Sequence, residues 1–155
     1  MELRKGVVTR VLIDPSEEES AGFDSFMDLP DSEYFEELFG SLSEYFAGAR
    51  LNLRLAWDFG PSAITGFARR VLRETSKIPF GKTRTYRMIA KGAGKPDAYR
   101  LVLATLVENP MPIVIPCHRV VTNKSGIGSY IGGQERKRWL IDMEKEALKR
   151  REQGR

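Results

Sequence analysis

The sequence predicts an α+β protein, with a small N-terminal α/β unit followed by a mostly helical C-terminal domain that contains a helix-turn-helix. Three observations carry this expectation. Strand-type and helix-type spacings alternate only before residue 60. From residue 63 onward the apolar spacing is mostly helical, and two short helical stretches meet at a glycine-containing turn. The charge also divides: residues 1–65 hold 5 Lys/Arg against 13 Asp/Glu, a net of −8, while residues 66–155 hold 20 against 8, a net of +12. The expected domains are 1–60 and 63–155.

The elements follow in order. "GVVTRVLI" (6–13) is rich in β-branched residues and reads as a strand. "DPSEEESAGFDSFMDLPDS" (14–32) is acidic and turn-rich, a surface loop. Phe35, Leu38, Phe39, Leu42, Tyr45 and Phe46 recur at helical spacing, which predicts a helix over 32–48 that Gly48 can end. Leu51, Leu53, Leu55 and Trp57 alternate, which predicts a half-buried strand over 51–58, and 59–62 is a turn. Ile64, Phe67, Val71 and Leu72 share a face of a helix over 63–77, which "IPFG" (78–81) breaks. Helices are expected over 83–94 and 95–110, and an ordinary helical hairpin in a core would give the same pattern. "PIVIP" (112–116) reads as a short apolar strand, "NKSGIGSYIGG" (123–133) as a glycine-rich loop and 134–150 as the last helix, with a frayed tail.

Composition excludes several function classes. The chain has no apolar run of membrane-spanning length. Its start, "MELRKGVV", lacks the apolar core of a signal peptide, so a cytoplasmic location is expected. One cysteine and one histidine cannot complete a zinc site within a monomer, so no metal is expected. The basic half suits a polyanionic partner, although charge alone fits a solvated surface equally well.

The chemistry-bearing residues are few. Cys117 and His118 are each the only one of their kind, and they are adjacent. A cysteine ending an apolar strand is commonly an inert small hydrophobe. A neighbouring imidazole can instead lower its pKa or take its proton. Residues adjacent on a regular strand point to opposite faces, so cooperation requires a bend, which Pro116 makes plausible. Glu144 interrupts the apolar stripe Leu140, Met143, Ala147 and Leu148 of the last helix. A carboxylate there needs a partner, either His118 or an arginine such as Arg119.

These stretches resemble the O6-alkylguanine-DNA alkyltransferases, also called methylated-DNA–protein-cysteine methyltransferases. "IVIPCHRV" is similar to their active-site motif, "IPFGKTRTY" (78–86) to the family's Ile-Pro-Tyr-Gly stretch ending in Ser/Thr-Tyr, "AYRLV" (98–102) to the arginine-finger segment, "GSYIGG" (128–133) to the active-site loop and "WLIDME" (139–144) to the final helix. The likeness spans roughly 63–148.

The resemblance implies a ribonuclease-H-like N-terminal unit and a monomer that binds double-stranded DNA containing O6-alkylguanine. It implies irreversible transfer of the alkyl group to Cys117 without a cofactor, with His118 as base through a water and Glu144 holding His118. Asn109 would brace the bend, Tyr86 would help rotate the nucleotide, and Arg100 would fill the gap in the base stack. Thr85, Ala98, Tyr99 and Arg119 would also meet DNA, and Val120, Ser129, Tyr130, Ile131 and Gly132 would line the pocket. The sequence departs from the family at Tyr99, Leu101 and Leu103, which are bulky where small residues are usual, and at Ile131, often a small polar residue. Two alternatives remain: a damage-binding relative that does not transfer, against which Cys117 argues, and a Cys-His-Glu thiol hydrolase, which would turn over.

Overall fold

A computed structural model describes residues 2–4, 7–11, 32–51, 53, 55–59, 64–122 and 126–154. The acidic loop expected at 14–32 and most of the turn at 59–62 lie outside the described residues, as do 123–125 of the glycine-rich loop. The expected first strand is half of a hairpin: β1 (Glu2–Arg4) pairs antiparallel with β2 (Val7–Arg10). Just beyond it the Val11 N–H donates to the Pro110 carbonyl at 2.7 Å, which ties the hairpin to the C-terminal half.

Helix α1 (Ser32–Phe46) forms where the apolar spacing places it, and it buries Leu38, Ser41 and Tyr45. The expected strand at 51–58 belongs to neither sheet among the described residues. Leu51, Leu53, Leu55 and Trp57 nevertheless pack against the core. The alternation therefore records which side faces inward. A ladder also needs a partner strand, which local spacing cannot reveal.

Helix α2 (Gly66–Ser76) starts later than expected because Thr65 caps it, its hydroxyl accepting from the Ala68 N–H at 3.2 Å. Its face of Val71, Leu72 and Thr75 is buried. Two residues of β3 (Arg84–Thr85) lead into α3 (Tyr86–Gly92), which Thr85 caps through the Met88 N–H. A connection over 93–98 leads to α4 (Tyr99–Val107), which packs against α3 and α2 through Val102 and Leu106. Arg70 of α2 donates to the Ala93 carbonyl at 2.9 Å, just past the end of α3.

"PIVIP" is not a strand. Prolines at both ends remove two ladder donors, and the chain folds back instead, with the Ile115 N–H on the Met111 carbonyl at 2.8 Å. Ile113 takes φ +74°, a strained value for a β-branched residue. A 3₁₀ turn (Cys117–Arg119) and β4 (Val120–Val121) follow, and β4 pairs parallel with β3, Arg84 against Val120 and Thr85 against Val121. Helix α5 (Gly133–Gln153) runs through the stretch expected to fray. Among the described residues no helix is long and apolar enough to cross a membrane.

Gly81, in the turn between α2 and β3, sits at φ +69°, and a Cβ there would lie 2.4 Å from Leu148 Cδ1. Gly81→Ala should cost about 1–3 kcal/mol of stability through the left-handed backbone and the displaced leucine. Urea unfolding of the two proteins measures this, and an unchanged midpoint would refute it.

Candidate active site

The bend that the Cys-His pair requires is present. Pro116 adopts φ −77° and ψ 64°, and the Cys117 N–H donates to the Ile115 carbonyl at 2.7 Å, forming an inverse γ-turn. The chain then coils through the 3₁₀ turn, with the Arg119 N–H on the Pro116 carbonyl at 2.9 Å. Cys117, His118 and Arg119 are all buried, at 3%, 0% and 6% exposure.

Glu144 of α5 is the hub. Its Oε1 accepts from His118 Nε2 at 3.0 Å, Tyr45 Oη at 2.5 Å and Arg119 Nη2 at 2.7 Å. Its Oε2 accepts from Arg119 Nε at 3.0 Å and from the Gly81 N–H at 2.8 Å. Both partners considered in the sequence, His118 and Arg119, are therefore engaged together. Burial alone would raise the Glu144 pKa, but the hydrogen bonds from His118 and Arg119, reinforced by their charge, outweigh it and hold the carboxyl at about 2. Burial lowers the His118 pKa, and Glu144 offsets this only in part, so the imidazole is neutral at neutral pH. An ionised carboxylate accepts and cannot donate, so Nε2 carries the proton and Nδ1 keeps its lone pair. Among the described residues Nδ1 has no hydrogen-bond partner. It is a buried acceptor positioned one residue from the thiol.

Cys117 Sγ receives the Asn109 Nδ2 amide at 3.1 Å. The same amide donates to the Ile115 carbonyl at 2.9 Å, and Asn109 Oδ1 accepts from the Met111 N–H at 3.1 Å. Asn109 thus holds both limbs of the bend and touches the sulfur. Burial pushes the thiol up to about 11, with Asn109 and Lys137 pulling the other way. The resting sulfur is protonated, so nucleophilic attack from here needs a base.

The glycine-rich loop closes one side. Tyr86, at the start of α3, donates to the Ser129 carbonyl at 3.4 Å. Gly128, at φ +75°, permits this approach, because a Cβ there would lie 2.7 Å from the Tyr86 hydroxyl. Tyr130 packs edge-on to His118 with ring centroids 6.2 Å apart, and its buried hydroxyl has no hydrogen-bond partner among the described residues. Val120 is fully buried, whereas Ser129 and Ile131 are exposed and Gly132 is half-buried. Thr85, Tyr86, Arg87, Tyr99 and Thr122 line a shallow pocket beside them.

The α3–α4 pair carries the basic face, where Arg87, Lys91, Lys95 and Arg100 are exposed. Ala98 caps α4 without a side-chain bond. Tyr99 and Leu101 face solvent, while Leu103 is half-buried against the core. Two of the three bulky departures therefore lie on the exposed side. Arg119 corrects an expectation. It is not on the DNA-facing surface, because its guanidinium is buried against Glu144 and donates to the Ile78 carbonyl at 2.6 Å.

Comparison with known proteins places this arrangement. The family profile described as "6-O-methylguanine DNA methyltransferase, DNA binding domain" matches residues 66–146. A methylated-DNA–protein-cysteine methyltransferase of Methanosarcina barkeri is 36% identical over 123 residues, covering 78% of this chain and 75% of that one. The chain belongs to the O6-methylguanine-DNA methyltransferase family. A probable methyltransferase of Acanthamoeba polyphaga mimivirus is 48% identical over 81 residues, and this chain spans about half (54%) of its length. Among solved structures, the Mycobacterium tuberculosis OGT in complex with DNA is similar, with TM-score 0.68 and 35% identity over 73% of this chain and 68% of that one.

Two residues of this family member escaped the sequence reading. Lys137 is fully buried, and its Nζ donates to the carbonyls of Val120 at 2.6 Å and Ser129 at 3.0 Å, joining β4 to the glycine-rich loop. Burial lowers it to about 8. It lies seven residues before Glu144 on the same helical stripe, so the argument that singled out Glu144 applied to it as well. Tyr45 reaches Glu144 across 99 residues of sequence, and no local pattern announces that contact.

The Glu144 network fixes an acid response. Its carboxyl is held at about 2 against an ordinary 4.5, so the unfolded chain takes up the proton first and stability is lost as pH falls from 4.5 towards 2. His118, lowered from 6.5, adds a loss that begins below 6.5. Glu144→Gln should remove the carboxylate's share of this slope while costing about 3–5 kcal/mol at neutral pH. Urea midpoints collected across the acid range test both effects, and an unaltered slope would contradict the assignment.

Proposed function

We propose that this protein repairs DNA by direct reversal, transferring the alkyl group of O6-alkylguanine to Cys117 in one irreversible step. The observation that carries the reading is the Nδ1 of a neutral His118, which has no partner among the described residues while its Nε2 is held by Glu144, next to a protonated thiol that Asn109 contacts. The Cys117 proton passes to Nδ1 through a water while the sulfur attacks the saturated carbon in line. The S–C bond forms as the C–O bond breaks. Guanine departs as an anion, which the Tyr86 hydroxyl and backbone N–H groups of the 126–132 loop stabilise. The product is a thioether. No residue here is set to cleave it, so each molecule acts once and needs no cofactor.

The helix pair α3–α4 is read as the helix-turn-helix, with Arg100 entering the duplex as the base leaves it. Its exposed Arg87, Lys91, Lys95 and Arg100 support salt-sensitive, largely sequence-independent contact with phosphates. Cys117 is 3% exposed, so the everted base reaches the sulfur only when the residues that cover it shift. Val120, Tyr130, Ile131 and Gly132 would line its pocket. Residues 1–60 are assigned to an N-terminal unit of the ribonuclease-H-like form that the family resemblance implies, and 63–155 to the transfer domain.

Intact mass after exposure to an O6-methylguanine oligonucleotide should rise by one methyl group per chain, mapped by peptide to Cys117. Product accumulating beyond one equivalent would indicate a hydrolase and sink this reading. Cys117→Ala should abolish transfer and keep DNA binding in a gel-shift assay. Arg100→Ala should slow reaction with duplex substrate about tenfold or more, since extruding a base costs a few kcal/mol, and leave free O6-benzylguanine nearly unaffected. Equal loss on both substrates would remove Arg100 from the finger role.

A further inference from the structure

We propose that Tyr45, on α1, is a positioning residue for the transfer chemistry, its phenol holding the Glu144 carboxylate on His118 and restraining how strongly that carboxylate draws a second proton onto the imidazole. The proposal rests on the reading of His118 as the base for Cys117. The Tyr45 hydroxyl lies 2.5 Å from Glu144 Oε1 and 3.4 Å from His118 Nε2, so it sits where those two groups meet. Its ring is 1% exposed and is clasped edge-on by Phe46 and Phe80 at centroid distances of 5.2 and 5.7 Å, which fixes the direction of the O–H. Burial and the adjacent carboxylate raise its pKa far above the working range, so it is always the donor.

The groups around His118 pull in opposite directions. Glu144 of α5 favours a charged imidazole. Arg119 on the same turn and Lys137 of α5 oppose it, and Cys117 and Tyr130 are neutral at rest. Tyr45 acts through Glu144. A short O–H···O⁻ bond takes up part of the carboxylate's charge on the very oxygen that accepts from Nε2. Without it, Glu144 would be more basic and the imidazolium better stabilised. Only neutral imidazole can accept the Cys117 proton, so a less restrained Glu144 would silence the base at a higher pH. This gives the N-terminal helix a share in the chemistry.

The chain has a single histidine, so its imidazole can be titrated by NMR in the full-length protein without overlap. Tyr45→Phe keeps the ring and removes the donor. The His118 titration should move up by about 0.5 unit or more, a threefold or greater change in proton affinity. The acid limb of the single-turnover rate on O6-methylguanine DNA should move with it. Loss of packing alone would lower the rate at every pH and leave the titration where it was. Placing 3-fluorotyrosine at position 45 alone provides a folded control of opposite sign: a stronger donor should shift both quantities downward. A His118 titration that stays put in both variants overturns the proposal. Failure of the underlying reading appears separately, as wild-type protein that leaves the damaged DNA unchanged while the NMR comparison still reads the Tyr45 contact.

Discussion

An ionised carboxylate enclosed among donors is the constraint on which the rest of this structure depends. Glu144 is 1% exposed, and a charge so placed is tolerated only while its partners stay in register. Those partners come from most of the molecule: Tyr45 from α1, Gly81 from the turn after α2, and His118 and Arg119 from the 3₁₀ turn. Satisfying one side chain therefore fixes three segments against α5. The same satisfaction sets the tautomer of His118, so one carboxylate both holds the fold together and decides which imidazole nitrogen keeps its lone pair.

The thiol is organised on different terms. Its surroundings keep it protonated at rest, with burial outweighing the help from Asn109 and Lys137. A permanently ionised sulfur would be exposed to indiscriminate oxidants and electrophiles. A covered, protonated thiol restricts reaction to whatever can reach it. Selectivity then resides in access and geometry more than in intrinsic nucleophilicity.

Local patterns made much of this readable in advance. Helices α1, α2 and α5 follow apolar spacing, and Glu144 stood out because a charge on an apolar stripe must be answered. The bend at Pro116 followed from the demand that two adjacent side chains act together. What escaped was non-local or dependent on pairing. The alternation of Leu51 to Trp57 recorded burial but could not supply a partner strand. "PIVIP" had a strand's composition, but its two prolines cost it the donors. Arg119 is legible in the sequence as one possible partner of Glu144, while the resemblance implies a DNA contact for it; that Glu144 holds it together with His118 is visible only in the packed structure. Tyr45 was read as one more apolar position on an amphipathic helix. Its hydroxyl gains meaning only once α5 is packed against it.

Helix α5 carries Lys137 and Glu144 two turns apart, one tied to the glycine-rich loop and β4, the other to the imidazole and α1. It works as a ruler with two graduations. A single residue inserted between them would swing one graduation about 100° around the axis, so neither neighbouring loop could compensate. Length variation in this chain should be tolerated in the connections and forbidden in that seven-residue interval.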